Sequence, residues 1–241
     1  MTQIFQSRRL QEYCSCSLQS NRPLCRLNYF LWQVEDFDLT LVDLKAREHF
    51  SPEYLAMQPF HQVPVFESGD FRLYESRAIV RYIAEKYKDA GPNILGSTLE
   101  EKALVNQWVD VEAHQFNDFA FAPWSMEYYL SWMMKRPLNE ALVAPLYEKL
   151  GYFLDVAEKH LSKTKYLAGN FFSMVDLNIA PSLLRVSVLQ PELINDRKNV
   201  KQWYESITSR PAFKKMLEVD EGWRFPYGPF TNEEAQKLRT S

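Results

Sequence analysis

Two short clusters in the first third of the chain have residue types suited to holding a peptide-like ligand: Gln62-Val63-Pro64 and Glu75-Ser76. A proline at the start of an apolar run can hold a cis peptide bond, which would turn the Val63 N–H and C=O outward as a paired donor and acceptor for an extended peptide. Glu75 can answer an ammonium group. The Ser76 hydroxyl, placed at the start of a helix pattern beside its free N–H groups, suits a carboxylate. Together they would fit a ligand with a backbone amide next to a zwitterionic amino acid end. Each half also has a plain explanation. Val-Pro can simply open a strand, and Glu-Ser-Arg can be acidic residues at a helix start. The combination within one hairpin-then-helix frame is the more specific signal.

The elements that must position these residues are legible from periodicity. Phe37 to Leu44 alternates apolar and polar positions with β-branched members, which predicts a strand. Val63 to Glu67 and Phe71 to Tyr74 read as a β-hairpin around Ser68-Gly69-Asp70. Residues 75–88 place Ala78, Ile79, Tyr82, Ile83 and Tyr87 on one helical face. Residues 89–97, with Gly91-Pro92-Asn93, read as a linker. Beyond it the pattern is helical over 98–120, about 139–161, 174–188 and 198–207, with breaks at Pro123, Pro137, Gly169 and Pro191. The expected architecture is an α/β domain over 1–90 followed by an all-α domain over 98–241. The last dozen residues are polar and expected to fray.

The bulk composition narrows the function classes. Over 241 residues the formal net charge is -3, which argues against broad attraction to nucleic acid or anionic lipid. Hydrophobic residues at 46% and charged residues at 24% describe a globular chain. No apolar run suggests a signal peptide or a membrane span, so the cytoplasm is the expected location. The three cysteines, Cys14, Cys16 and Cys25, fit a reducing compartment, and Cys14-x-Cys16 has neither redox-motif nor zinc spacing. No metal or cofactor is expected.

At Met57-Gln58-Pro59-Phe60-His61-Gln62-Val63-Pro64-Val65-Phe66 and Tyr74-Glu75-Ser76-Arg77-Ala78-Ile79 the sequence resembles the glutathione-binding half of the thioredoxin-like fold in glutathione transferases. The phi (plant-type) class pattern is close to Asn-Pro-Phe-Gly-Gln-Val-Pro-x-Phe, then Phe-Glu-Ser-Arg-Ala-Ile. The resemblance implies a thioredoxin-like N-terminal domain and a helical C-terminal one, with glutathione as co-substrate. Carried over by the matches, Val63, next to Pro64, would pair with the cysteinyl backbone, and Glu75 and Ser76 would bind the γ-glutamyl group. His49, in a Glu48-His49 match, would approach the glycine carboxylate with Gln62, or be a plain surface histidine. Two positions depart from the pattern: Phe50 stands where the family often has lysine, and His61 replaces the usual glycine. Further along, Trp108 to Ala113, Lys165 to Asn170, Ser173 to Leu177 and Arg210-Pro211-Ala212 continue the resemblance, which spans about 37–217. Ser173 and Asp176 have the form of a capping box, a folding role.

The resemblance also implies the chemistry. A hydroxyl after the first strand favours the thiolate of glutathione, the true nucleophile. The stretch Tyr13 to Arg26 is irregular. Alignment back from the Phe37 strand puts Ser20 at the catalytic position, followed by Asn21; alignment on Arg26 leaves no hydroxyl there. Ser17 and Cys16 are the next candidates, and Ser15, Ser17 or Ser20 can also be plain loop serines. A cysteine at the thiol, Cys14 or Cys16, would shift the chemistry toward glutathione-dependent peroxidase or thiol reductase reactions. Phe116, Phe119, Trp124 and Tyr128 are able to line an apolar cleft for the electrophile, or to serve as packing or dimer contacts. The expected activity is conjugation of glutathione to hydrophobic electrophiles by a homodimer, in detoxification or secondary metabolism. The alternatives are a carrier of glutathione or apolar ligands that has lost activation, and an interaction module like the transferase-like domain of the elongation factor gamma subunit.

Overall fold

A computed structural model of the chain describes residues 12–16, 38–43 and 46–214. The described residues fall into two compact units, one made of the residues up to Asn93 together with 211–214 and the other covering Ile94–Arg210.

In the first unit four strands form one sheet in the order β2-β1-β3-β4. They are β1 (Glu12–Cys16), β2 (Asp38–Leu41), β3 (Val65–Ser68) and β4 (Phe71–Tyr74). β1 runs parallel to β2 and antiparallel to β3, which pairs antiparallel with β4. The hairpin loop is Gly69-Asp70, and Gly69 takes φ 57°, a left-handed angle that glycine adopts without steric cost. Between β2 and β3 lie a 3₁₀ turn (Glu48–Phe50) and the short helix α1 (Pro52–Leu55), capped by Ser51, whose hydroxyl accepts from the Tyr54 N–H at 3.1 Å. Val42, Tyr54, Val63 and Val65 form an apolar cluster beneath this connection. Helix α2 (Ser76–Lys86) follows β4 directly and buries Ile79, Val80, Ile83 and Ala84; of the face expected from periodicity, Ile79 and Ile83 are buried and Ala78, Tyr82 and Tyr87 half-buried, so the buried stripe is turned toward Val80 and Ala84.

Three sequence expectations are corrected here. The Tyr13 to Arg26 stretch does not begin as a loop: Tyr13, Cys14, Ser15 and Cys16 belong to the central strand β1. The strand expected at Val63 begins at Val65, where pairing with β1 and β4 starts, because Pro64 has no N–H to give to the ladder. The break expected at Pro123 does not occur. Helix α3 (Leu99–Val111) passes through a π-helical stretch (Glu112–Phe121) straight into α4 (Ala122–Met134). The Ala122 N–H reaches back five residues to the Asn117 carbonyl. Pro123 therefore falls in the first turn after the widened segment, where a missing N–H is tolerated.

The rest of the second unit is α5 (Glu140–Leu161), α6 (Met174–Leu189), α7 (Glu192–Asn195) and α8 (Lys198–Thr208). α3 begins with a capping box from Thr98 and Glu101, and Gly96 just before it is required: a Cβ there would stand 2.8 Å from Glu101. α6 is buried on almost every side and forms the core of the unit. Its start carries the box expected from Ser173 and Asp176. The Asp176 carboxylate accepts from the Ser173 N–H at 2.8 Å and hydroxyl at 2.7 Å, and also from the Leu167 N–H and the Trp203 indole. α8 has no capping side chain of its own at Arg197. Instead Glu158 of α5 accepts from the Asn199 and Val200 N–H groups at 2.9 Å, so the negative charge that the helix end favours comes from a neighbouring helix.

Candidate functional site

The hairpin sets the geometry. Val65 stands opposite Tyr74 in the β3–β4 register, so Val63-Pro64 and Glu75-Ser76 lie at the same end of the sheet. The Val63–Pro64 bond is cis, in the place expected of a proline ahead of the strand. The Val63 side chain is buried, while Gln62 and Glu75 are exposed. Glu75 has φ 70° and ψ 120°, a conformation that a residue with a side chain rarely adopts. Such an outlier costs roughly 1–3 kcal/mol and persists where the surroundings over-determine it, characteristically at ligand sites. Glu75 is the N-cap of α2, yet its side chain makes no capping hydrogen bond, and the buried Ser76 is the first helical residue.

The loop leading into Val63 is held from beneath. The buried Tyr54 hydroxyl donates to the Gln62 carbonyl at 2.8 Å, and the buried Gln58 side chain accepts from the Phe60 N–H at 2.6 Å. His61 has φ 54°, which gives a physical reason for the glycine in the family pattern: that backbone is left-handed. Its ring stacks on Phe50, with centroids 4.5 Å apart, so the two departures from the pattern touch each other. His49 sits in the 3₁₀ turn with its ring 4.3 Å from that of Phe50. Burial first, then the charges of Arg47 and His61, push the His49 imidazole below its ordinary value. Arg47 escaped the sequence reading, and His61 entered it only as a departure from the family's glycine.

Ser20 and Ser17 lie outside the described residues. β1 nevertheless bears on them. Ser15 pairs with both Thr40 and Val65, so the chain leaves β1 after Cys16 at the sheet end that carries Val63-Pro64 and Glu75-Ser76.

In the second unit the aromatic candidates separate. Phe116 and Trp124 have no exposed surface; Phe116 packs on Phe121 and Phe153, and Trp124 on Phe121 and Tyr128. They are core residues of their unit. Phe119 is 52% exposed, with the Lys149 ammonium 3.8 Å from its ring centroid. Among the described residues there is no cluster of ligating side chains able to hold a metal ion. No described helix is long and apolar enough to cross a membrane.

Comparison with known proteins gives a consistent result. The profile of the glutathione S-transferase N-terminal domain matches residues 17–85, and that of the C-terminal domain matches 121–211. Glutathione S-transferase F9 of Arabidopsis thaliana is 43% identical over 183 residues, which cover 75% of this chain and 85% of the relative. The crystal structure of glutathione transferase F7 from Populus trichocarpa superposes with a TM-score of 0.81 at 39% identity, covering 86% of this chain and 98% of that one. A maize glutathione S-transferase I in complex with an atrazine glutathione conjugate matches with a TM-score of 0.79 at 32% identity, over 87% of this chain and 97% of that one. With a thioredoxin-like sheet followed by a helical unit, and with these matches to both halves, the chain belongs to the phi class of the glutathione S-transferase family.

Proposed function

We propose that this chain conjugates reduced glutathione to hydrophobic electrophiles, using the sheet end of the first unit to hold the tripeptide. The observation that carries the reading is the register of Val65 with Tyr74, which sets the cis Val63–Pro64 pair beside the strained Glu75 and the first turn of α2. Val63 would offer its N–H and C=O to the cysteinyl backbone. Glu75 answers the γ-glutamyl ammonium, and the Ser76 hydroxyl with the N–H groups of the first helical turn takes the γ-glutamyl carboxylate. His49 and Gln62 serve the glycine end.

Ser20 is the hydroxyl proposed to hydrogen-bond to the sulfur, favouring thiolate near neutral pH. Its position in sequence, shortly after β1 leaves the sheet at this end, supports that role. For the electrophile, Phe119 retains surface to contribute, whereas the burial of Phe116 and Trp124 limits them to shaping the core behind it. The protein is proposed to act as a cytoplasmic homodimer with glutathione as co-substrate and no further cofactor.

The deciding measurement is the thiolate absorbance of bound glutathione near neutral pH, together with turnover of a chloronitrobenzene. Conjugation with a bound thiolate is the expected result. Tight binding without thiolate or turnover would reduce the protein to a carrier. Sedimentation of the purified chain tests the dimer.

A further inference from the structure

One residue holds both ends of the loop that leads into Val63. The Tyr54 carbonyl accepts from the Met57 N–H at 2.9 Å and the Gln58 N–H at 2.8 Å, where the loop leaves α1. The Tyr54 hydroxyl donates to the Gln62 carbonyl at 2.8 Å, where the loop ends. Its ring is buried in the apolar cluster with Val42, Val63 and Val65, and its own N–H donates to the Ser51 hydroxyl at 3.1 Å. Within the loop, the Gln58 side chain accepts from the Phe60 N–H at 2.6 Å and the Gln58 carbonyl from the His61 N–H at 3.3 Å. The Gln62–Val63 peptide is trans, and in a trans peptide the C=O and the following N–H point in opposite directions. With the Gln62 carbonyl drawn to the buried Tyr54 hydroxyl, the Val63 N–H is directed away from it. Among the described residues the Val63 N–H and C=O have no hydrogen-bond partner, although nearly all backbone groups in folded proteins find one.

We infer that Tyr54 is a positioning residue for glutathione: by holding the Gln62 carbonyl, its hydroxyl aims the Val63 N–H at the cysteinyl carbonyl of the tripeptide and so sets where the sulfur lies. The inference rests on the glutathione reading above. Tyr54 acts through the Gln62–Val63 peptide rather than on the ligand itself. Without the hydroxyl, the Gln62 carbonyl loses its partner and the peptide unit is free to rotate about its flanking single bonds, turning the Val63 N–H with it. Part of the binding energy then goes into ordering the loop, and affinity falls without the loss of any direct contact. The electrophile has no peptide group for Val63 to pair with, so the effect belongs to glutathione alone.

The test sets Tyr54→Phe, which keeps the ring in its apolar cluster and removes only the hydroxyl, beside Val42→Ala, which trims the same cluster and keeps the hydroxyl. Calorimetry reads the glutathione dissociation constant, and kinetics with a chloronitrobenzene read KM for each substrate. Tyr54→Phe is expected to raise the dissociation constant about fivefold, the scale of one neutral hydrogen bond. KM for glutathione should rise alike, while KM for the chloronitrobenzene stays unchanged. Val42→Ala should lower the urea unfolding midpoint and leave glutathione binding as it was, which separates positioning from a loss of packing. The calorimetric comparison stands even without turnover. An unchanged dissociation constant in Tyr54→Phe, an equal rise in Val42→Ala, or equal rises in both KM values makes Tyr54 a plain core residue and overturns the inference, while leaving glutathione binding intact. Failure of the wild-type protein to bind glutathione overturns the glutathione reading, and the inference with it.

Discussion

Ser76 follows directly on a backbone angle that side chains resist, and it opens α2 at the sheet end where the γ-glutamyl group is proposed to bind. Ser76→Ala is expected to raise the glutathione dissociation constant about tenfold, the loss of one hydrogen bond to a charged group. Equilibrium binding measures it, and an unchanged constant would move the carboxylate elsewhere. Ser20→Ala should leave that binding nearly intact while abolishing the bound-thiolate absorbance; retention of the absorbance would pass the role to another group, Ser17 or Cys16 first. Much of the candidate site was legible at this scale because its residues are close in sequence and their backbone demands are specific. The proline at 64 announced a cis bond, and Glu75-Ser76 announced a helix start. What local reading missed was the meaning of His61. Its left-handed angle and its stack on Phe50 join two segments that no short motif connects.

Between elements, a single carboxylate often does the joining. Asp176 caps its own helix, but it also holds the Leu167 N–H at 3.2 Å and the Trp203 indole at 2.8 Å, tying α6 to the preceding turn and to α8. Asp176→Ala strands these donors in the interior and is expected to destabilise the protein by roughly 3–5 kcal/mol. Urea unfolding checks this; an unchanged midpoint would mean that water satisfies the donors. The Ser173–Asp176 half of this network was legible because three-residue spacing is a local signature. The capping of α8 by Glu158 was not, since donor and acceptor are 41 residues apart. Nor was the continuity through Pro123, which depends on a change in hydrogen-bond spacing that composition does not announce. β1 escaped for a related reason: Glu-Tyr-Cys-Ser-Cys has no period-2 apolar alternation, and its strand geometry is fixed by β2 and β3 on either side.

For the molecule as a whole, shifted titrations set how stability responds to acid. Glu127, buried, receives the Arg136 guanidinium at 2.6 and 2.9 Å together with the Asn139 N–H and the Ser131 hydroxyl. These partners, Arg136 foremost, hold its carboxyl down at about 2 against an ordinary 4.5. A depressed carboxylate stabilises the fold above its unfolded value, so this contribution is complete above about pH 4.5 and is lost as pH falls through about 2. His49, also lowered, contributes stability above its ordinary 6.5 that is lost as pH falls through its folded value. Asp176 opposes both: burial raises it above 3.8, so its contribution is present at low pH and is lost as pH rises through its folded value. Comparing wild type with Glu127→Gln isolates the first contribution, because the other two are common to both proteins. The wild-type advantage in unfolding free energy should shrink by about 2 kcal/mol between about pH 4.5 and about pH 2, a figure kept below the full linkage value because Arg136 is 34% exposed and screened by solvent. Urea titrations across that window decide the matter, and an advantage that stays constant would mean that the Glu127 carboxyl titrates alike in the folded and unfolded chains.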